Sequence, residues 1–346
     1  MNIRIFEGFM PKRKSVPNKS IVSKCPKLDD TDKINHNEYK SLIQSAFLLK
    51  CPPDFFEFYN FCCSVFPESP LDALLNDLNL RLVGPFEVLS NPTIIKPETD
   101  LTCCNRHFHD PPEVVTVLSE ESETPFHVGY FRDDYNEIPE FLVSSCPSES
   151  GKLTFLCTNI FSAVINLCNR SQKTKKSPLL AKLVQYAQDH SISIDTKKRS
   201  LIDKRTPVCT TLNGIGLQVE LRNGIGYRPV TSSHNEITEM LQNLMDSKNE
   251  KARLRNLSKL DELMTLVQFA NDEGDYGQGL ELGLDLLAFH PRGPLESANC
   301  LNKRIAVLLS TGYRLAGRPR FSDVIKQHME TRSTPKTVKD VTASSG

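Results

Sequence analysis

Apolar residues recur along this chain with two different periods, and the change from one to the other divides it into a mixed stretch and a helical one. After Pro52-Pro53, the residues Phe55, Phe58, Tyr59, Cys62 and Phe66 share one helical face, with Asp54 placed to cap it. That spacing predicts a helix with an aromatic core stripe. Residues 80–83 read as a strand stopped by Gly84-Pro85, and short β-rich runs follow at 114–118, 127–131, 141–143 and 153–155, each bounded by polar turns. Helical period returns over 159–169, with Ile160, Ala163, Val164 and Leu167 inward. Helix, several strands, then helix gives an α+β domain over about 42–170 with a small antiparallel sheet.

Residues 177–332 read as a mainly helical second domain on which the first packs, so the fold class is α+β. Ser177-Pro178 opens a helix, serine as cap and proline in the first turn. Residues 212–221 read as a Gly-broken strand pair, Asn223-Gly224 as a turn, and Gly226-Tyr227-Arg228-Pro229 as extended backbone before proline. Ser233-x-x-Glu236 is a capping box for a helix to about Ser247. Another helix is expected over about 250–270, with Met264, Val267, Phe269 and Ala270 among its buried positions, and others near 278–289, 301–313 and 321–331. Residues 1–40 lack either period and are expected to form a disordered basic arm. Residues 333–346 are expected to be a loose tail.

Charge changes this picture only through its distribution. The total is zero, so it implies nothing about partners, but Met1 to Leu28 holds seven basic residues and one acid. Within it, Pro11-Lys-Arg-Lys-Ser-Val-Pro17 has the form of a short nuclear-import signal, a form it shares with any solvated basic tail. Arg170 to Arg205 carries ten basic residues against three acids but no interleaved aromatics, which suits a solvated interdomain segment better than a nucleic-acid reader. Eleven cysteines, an odd number that includes the adjacent pairs Cys62-Cys63 and Cys103-Cys104, argue for free thiols in a reducing compartment. No apolar run approaches the ~20 residues that span a bilayer, so no membrane partner is expected.

The one concentrated chemical feature is acidic. From Asp261 to Pro291 there are seven carboxylates and no Lys or Arg. Like charges so placed repel, which raises the pKa of at least one of them and suits cation binding, proton chemistry or a solvated acidic loop. A calcium loop does not fit, because Gly277 and Glu281 are only four residues apart. Gly277-x-Gly279-x-x-x-Gly283 misplaces its third glycine for a phosphate cradle, and tight turns or close helix approach explain it better. Cys103-Cys104-x-x-His107-x-His109 has metal donors at a spacing that matches no zinc pattern, so no metal is expected. There is no nucleophile–His–acid set, and a self-sufficient active site is not evident. Glu273, beside Asp272 and Asp275, is a candidate base with a raised pKa; the negative end of the preceding helix would raise it further and the start of the following helix would lower it, and an acidic helix cap is the plainer account of the same residues.

Val267-Gln-Phe-Ala-Asn-Asp-Glu273, the run from Asp275 to Leu286, and Gly226-Tyr-Arg228 resemble the histone PARylation factors. So do Leu82-Val-Gly-Pro-Phe-Glu87, Asp110-Pro-Pro-Glu113 and Gly129-Tyr-Phe-Arg-Asp133 in the first half. The resemblance implies a nuclear, chromatin-associated accessory factor of the DNA damage response, with the cytoplasm as a secondary location. It would dock on a DNA-damage-activated poly(ADP-ribose) polymerase and complete its active site. The polymerase would bind NAD, so this chain would need no cofactor of its own. Glu273 would be the base for an acceptor serine on histones or on the polymerase, while Tyr227, Arg228, Asp272 and Asp275 would form the docking and substrate surface. Lys303 aligns with an interface lysine once a gap is allowed. Gly274 stands where relatives carry cysteine, and Pro229 where an acidic residue is usual. A non-catalytic adaptor that holds histone tails through the acidic stretch is the competing expectation.

Overall fold

The computed structural model describes residues 33–91, 99–122, 125–170, 174–194 and 205–343. The basic segment at Pro11–Pro17 lies outside them, as does most of the expected arm. The arm does not extend to residue 40. Helix α1 (Lys33–Phe47) is formed there because Tyr39, Leu42, Ile43, Ala46 and Phe47 fall at helical spacing and pack into the first core.

In the first half, α1 is followed by α2 (Pro53–Val65), the short α3 (Leu75–Leu78), β1 (Arg81–Leu82) and α4 (Pro85–Ser90). Strands β2 (Val114–Ser119), β3 (His127–Phe131), β4 (Phe141–Ser145) and β5 (Thr154–Cys157) complete an antiparallel five-stranded sheet in the order β1-β2-β3-β4-β5. Helices α5 (Ile160–Cys168) and α6 (Pro178–Asp189) close this half. Asp54 does not cap its own helix. Its Oδ2 instead accepts from the backbone N–H of Ile160 at the start of α5 (2.7 Å) and from Tyr130 Oη (2.9 Å). Phe66, just past the end of α2, is 40% exposed and so leaves the stripe. The apolar side of α6 (Leu179, Leu183, Ala187) joins the same core as α2 and α5, although the sequence places α6 beyond the first domain.

The second half contains α7 (His234–Met245), α8 (Glu250–Asp272), α9 (Gly277–Ala288), α10 (Asn302–Leu315) and α11 (Pro319–Thr331) around a separate apolar cluster. The capping box opens α7 as its sequence predicts, with the Ser233 backbone N–H donating to Glu236 Oε2 at 2.7 Å. The expected strand pair over 212–221 does not form a ladder. Gly214 and Gly216 have φ of +83° and +79°, and the Leu212 N–H and Asn213 C=O bond to Asp285 and Leu153 instead. The tail is not loose either. Thr337 and Asp340 form a reciprocal cap for α12 (Val338–Ala343), which carries Val338 back into the first core.

Several of the motif residues in the first half join the two halves. Glu113 accepts from Tyr313 Oη at 2.9 Å, and Arg132 donates to the carbonyls of Leu48, Pro112 and Glu113 while lying over the Phe321 ring. Arg332 spans from Phe108 O (2.7 Å) to Leu287 O (2.8 Å). Gly151 meets the end of α9 so closely that a Cβ there would lie 1.9 Å from Ala288 O. These contacts fix α9, and with it the acidic segment, against the sheet. None of the helices of the described residues is long and apolar enough to cross a membrane. Cys51, Cys62, Cys104, Cys168 and Cys209 are free thiols, and burial pushes Cys51, Cys104 and Cys209 up to about 12.

Candidate functional site

Helix α8 begins at Asn249, whose side chain caps the Ala252 N–H, and runs for 23 residues with only Leu260, Val267 and Ala270 fully buried. At 100° per residue Phe269 falls 200° from Val267, so it sits on the outer face and is 57% exposed, contrary to its expected burial. Leu266, on the same side, is 43% exposed.

The helix ends at Glu273. Gly274, at φ +91°, supplies the left-handed residue of a Schellman turn: its N–H bonds to Asn271 O (3.1 Å) and the Asp275 N–H to Ala270 O (2.7 Å). A Cβ on residue 274 would approach Ile225 Cγ2 to 2.9 Å, so the cysteine expected of relatives would need the Ile225 side chain to shift and would be strained at this φ. The turn therefore stands at the negative end of α8, the geometry the sequence left open, with Glu273 63% exposed.

The acidic segment has no internal counter-charge, yet the fold supplies one. The Gly226–Val230 loop lies across the start of α9: the Gly226 N–H bonds to Asp275 Oδ1 (3.0 Å) and its carbonyl accepts from Gly277 N (2.9 Å). From this loop Arg228 Nη2 bonds to Glu273 Oε2 and reaches Asp275 Oδ2 at 3.2 Å. Tyr227 Oη donates to Glu281 Oε2 at 3.1 Å. Four of the five expected site residues, Tyr227, Arg228, Glu273 and Asp275, thus meet in one place. Asp272 is exposed beside them, and Lys303 is exposed on α10.

The tertiary structure sorts the seven carboxylates. Asp261 pairs with Arg304 at 2.7 Å, while Glu281 and Asp285 are buried in α9. Burial raises the pKa of both, that of Asp285 to about 6. Glu262, Asp272 and Glu273 remain at the surface. The two buried acids were not singled out from sequence, although carboxylates at i and i+4 in an otherwise apolar helix were a usable signal. The glycines serve close helix approach, as expected: Gly279 faces Val267 and Gly283 faces Leu309.

The Cys-Cys-His-His run does not converge. Cys103 points at Val324 O and Cys104 at Thr337 O. His107 instead meets Asp110 and His127 in a buried cluster whose ligand atoms lie within 4.8 Å of one another. The His107 and His127 rings lie with centroids 3.9 Å apart and planes tilted by 31°. Asp110 already accepts from His127 Nε2 and the His107 N–H, both at 2.9 Å. Burial favours its neutral form, but His127 and His107 together outweigh this and hold Asp110 below the usual carboxylate range.

The family model for Histone PARylation factor 1 matches residues 38–332. The chain belongs to the histone PARylation factor family. It is 32% identical to mouse Histone PARylation factor 1 over 311 residues, covering 86% of this chain and 88% of that protein. It is 33% identical to the Bos taurus protein over 304 residues (84% and 86% of the two chains), and 30% identical to that of Danio rerio over 309 (86% of each). The span matched by the histone PARylation factor model takes in the second apolar core, the first core apart from its α12 residues, and the whole Arg228–Glu273 site.

Proposed function

We propose that the chain docks on the catalytic domain of a DNA-damage-activated poly(ADP-ribose) polymerase and completes its active site for serine. The observation that carries this reading is an exposed carboxylate, Glu273, presented on a rigid turn and held by an arginine from a pinned loop. A serine hydroxyl is a weak nucleophile near neutral pH and needs a positioned base, whereas an aspartate or glutamate acceptor is already ionised. As the serine Oγ bonds to the ribosyl anomeric carbon and the bond to nicotinamide breaks, the hydroxyl proton passes to Glu273. NAD belongs to the polymerase; Tyr227, Arg228, Asp272 and Asp275 serve docking and the basic histone peptide.

Around the acids, Leu221, Ile225, Leu266 and Phe269 are each more than 40% exposed, an apolar margin that a docked protein would cover. Covering the turn would also remove water from Glu273, which strengthens every charge interaction there. Nuclear, chromatin-associated placement follows from such a partner.

The test is reconstitution with polymerase, NAD and a histone-tail peptide, mapping the modified residue type. Wild type should direct modification to serine. Glu273→Gln should lose serine product while still binding the polymerase. Serine product unaffected by that change would leave only a histone-tail adaptor.

A further inference from the structure

We infer that Glu281 is a positioning residue: it holds the loop that presents Arg228 to Glu273, and so sets the geometry of the proposed base without touching substrate. The inference rests on the function proposed above for Glu273.

Helix α9 is buried along its whole length, and apart from Gln278, Glu281 and Asp285 it is apolar or glycine. A carboxylate there is unfavourable unless its oxygens find donors. Glu281 Oε2 finds two, Tyr227 Oη at 3.1 Å and the Val230 N–H at 3.0 Å. These donors lie on either side of Arg228 in sequence, so one oxygen grips the loop both before and after the arginine. The remaining pins come from the same short stretch of chain. Asp275 and Gly277 hold Gly226 at its N–H and carbonyl, and Gln278 Nε2 donates to Pro229 O at 2.7 Å. One turn beyond Glu281, Asp285 Oδ1 accepts from Leu212 N at 2.8 Å and its Oδ2 lies 3.4 Å from His234 Nε2. Asp285 therefore anchors the chain before and after the loop, and Glu281 anchors the loop itself.

Arg228 has little else to orient it. Its side chain is 40% exposed and its charged contacts are the two acids it serves. A long cation on a free loop would sample many rotamers, and the time spent bridging Glu273 and Asp275 would fall. Glu281 acts by restricting the backbone on both sides of it.

The experiment compares Glu281→Leu, which removes the acceptor at similar volume, with Glu281→Gln, which keeps an amide oxygen in its place. Amide hydrogen exchange at Gly226 and Val230, the two bonded loop amides, is read in the chain alone, and serine modification and polymerase affinity in the reconstituted complex. The Leu variant should exchange about tenfold faster at these amides, without matching change in α10, and bind polymerase about fivefold more weakly. The Gln variant should stay within about twofold of wild type in all three. A merely structural carboxylate would lower the melting temperature of the Leu variant but leave local exchange and serine product at low temperature unchanged, and that result overturns the inference. If wild type itself directs no modification to serine, the proposed function fails, and exchange alone decides the role of Glu281. Should the Leu variant not fold, Tyr227→Phe deletes one donor only; faster exchange at Val230 supports the grip and unchanged exchange refutes it.

Discussion

Arg228 closes an ion pair with Glu273 across 45 residues of chain, and the same guanidinium lies 3.2 Å from Asp275 Oδ2. A loop residue and a helix-capping residue, unremarkable apart, thereby become one charged unit. Asp275 is 19% exposed and tied to backbone, whereas Glu273 is 63% exposed and faces outward. The pair therefore has a fixed side and an available side.

Glu273→Gln tests the available side. An exposed isosteric change should alter stability by less than about 0.5 kcal/mol. Serine-linked product should fall by at least about 100-fold, the usual contribution of a positioned base. Polymerase binding should survive. Residue-type mapping and a binding isotherm on the same preparation check both halves.

Arg228→Ala tests the fixed side. It should weaken the polymerase complex by about tenfold, roughly 1.4 kcal/mol, because it removes the cation that holds both acids. Arg228→Lys should recover only part, since its shorter side chain must carry the ammonium to the point where Nη2 meets both acids. Unchanged affinity in the alanine variant would contradict the assignment.

Gly151→Ala tests what places α9. Its Cβ would lie 1.9 Å from the Ala288 carbonyl oxygen, with backbone atoms as the obstacle. Because backbone yields less readily than a flexible side chain, a loss of about 3 kcal/mol is expected. Chemical denaturation measures it; a loss below about 1 kcal/mol would mean that the sheet and α9 can separate without penalty.

Acid should destabilise the fold through its buried histidines. Burial, aided by the Arg332 charge near His109 and by His127 near His107, pushes both rings down to about 3, and His328 moves the same way. Unfolded, each protonates near pH 6.5. Between those values the unfolded chain binds more protons, so the stabilisation is complete above about pH 6.5 and is lost as pH falls, at up to about 1.4 kcal/mol per unit for each ring. Asp110, held low, adds to the loss only in stronger acid. Asp285, raised to about 6 from 3.8, works the other way and gains as pH falls through that interval. Glu281, Glu113, Glu87 and Asp54, also raised by burial, act in the same sense as Asp285; three rings pushed far down should still make the melting temperature fall from pH 6.5 to 4.5. A flat profile would contradict the burial of these rings.

Sequence alone determined what depends on neighbours in the chain. The Ser233/Glu236 box, the Asn223-Gly224 turn (φ +54° and +80°) and most helices and strands lie where periodicity and capping place them, because adjacent residues carry the signal for each. The acid-rich run was legible for the same reason. So was the break between the helices expected over 250–270 and 278–289.

Tertiary structure decided what depends on partners far along the chain. It turned Phe269 outward, withheld a ladder from 212–221, and folded the last helix back onto the first core. It also brought Arg228 to Glu273 and put Glu281 beneath Tyr227 and Val230. A charge or hydrogen-bond donor acts on whatever lies within a few ångströms, and no local pattern encodes which distant segment that will be. The sequence thus named an acidic site, and packing chose which of its acids to bury, which to pair and which to leave facing out.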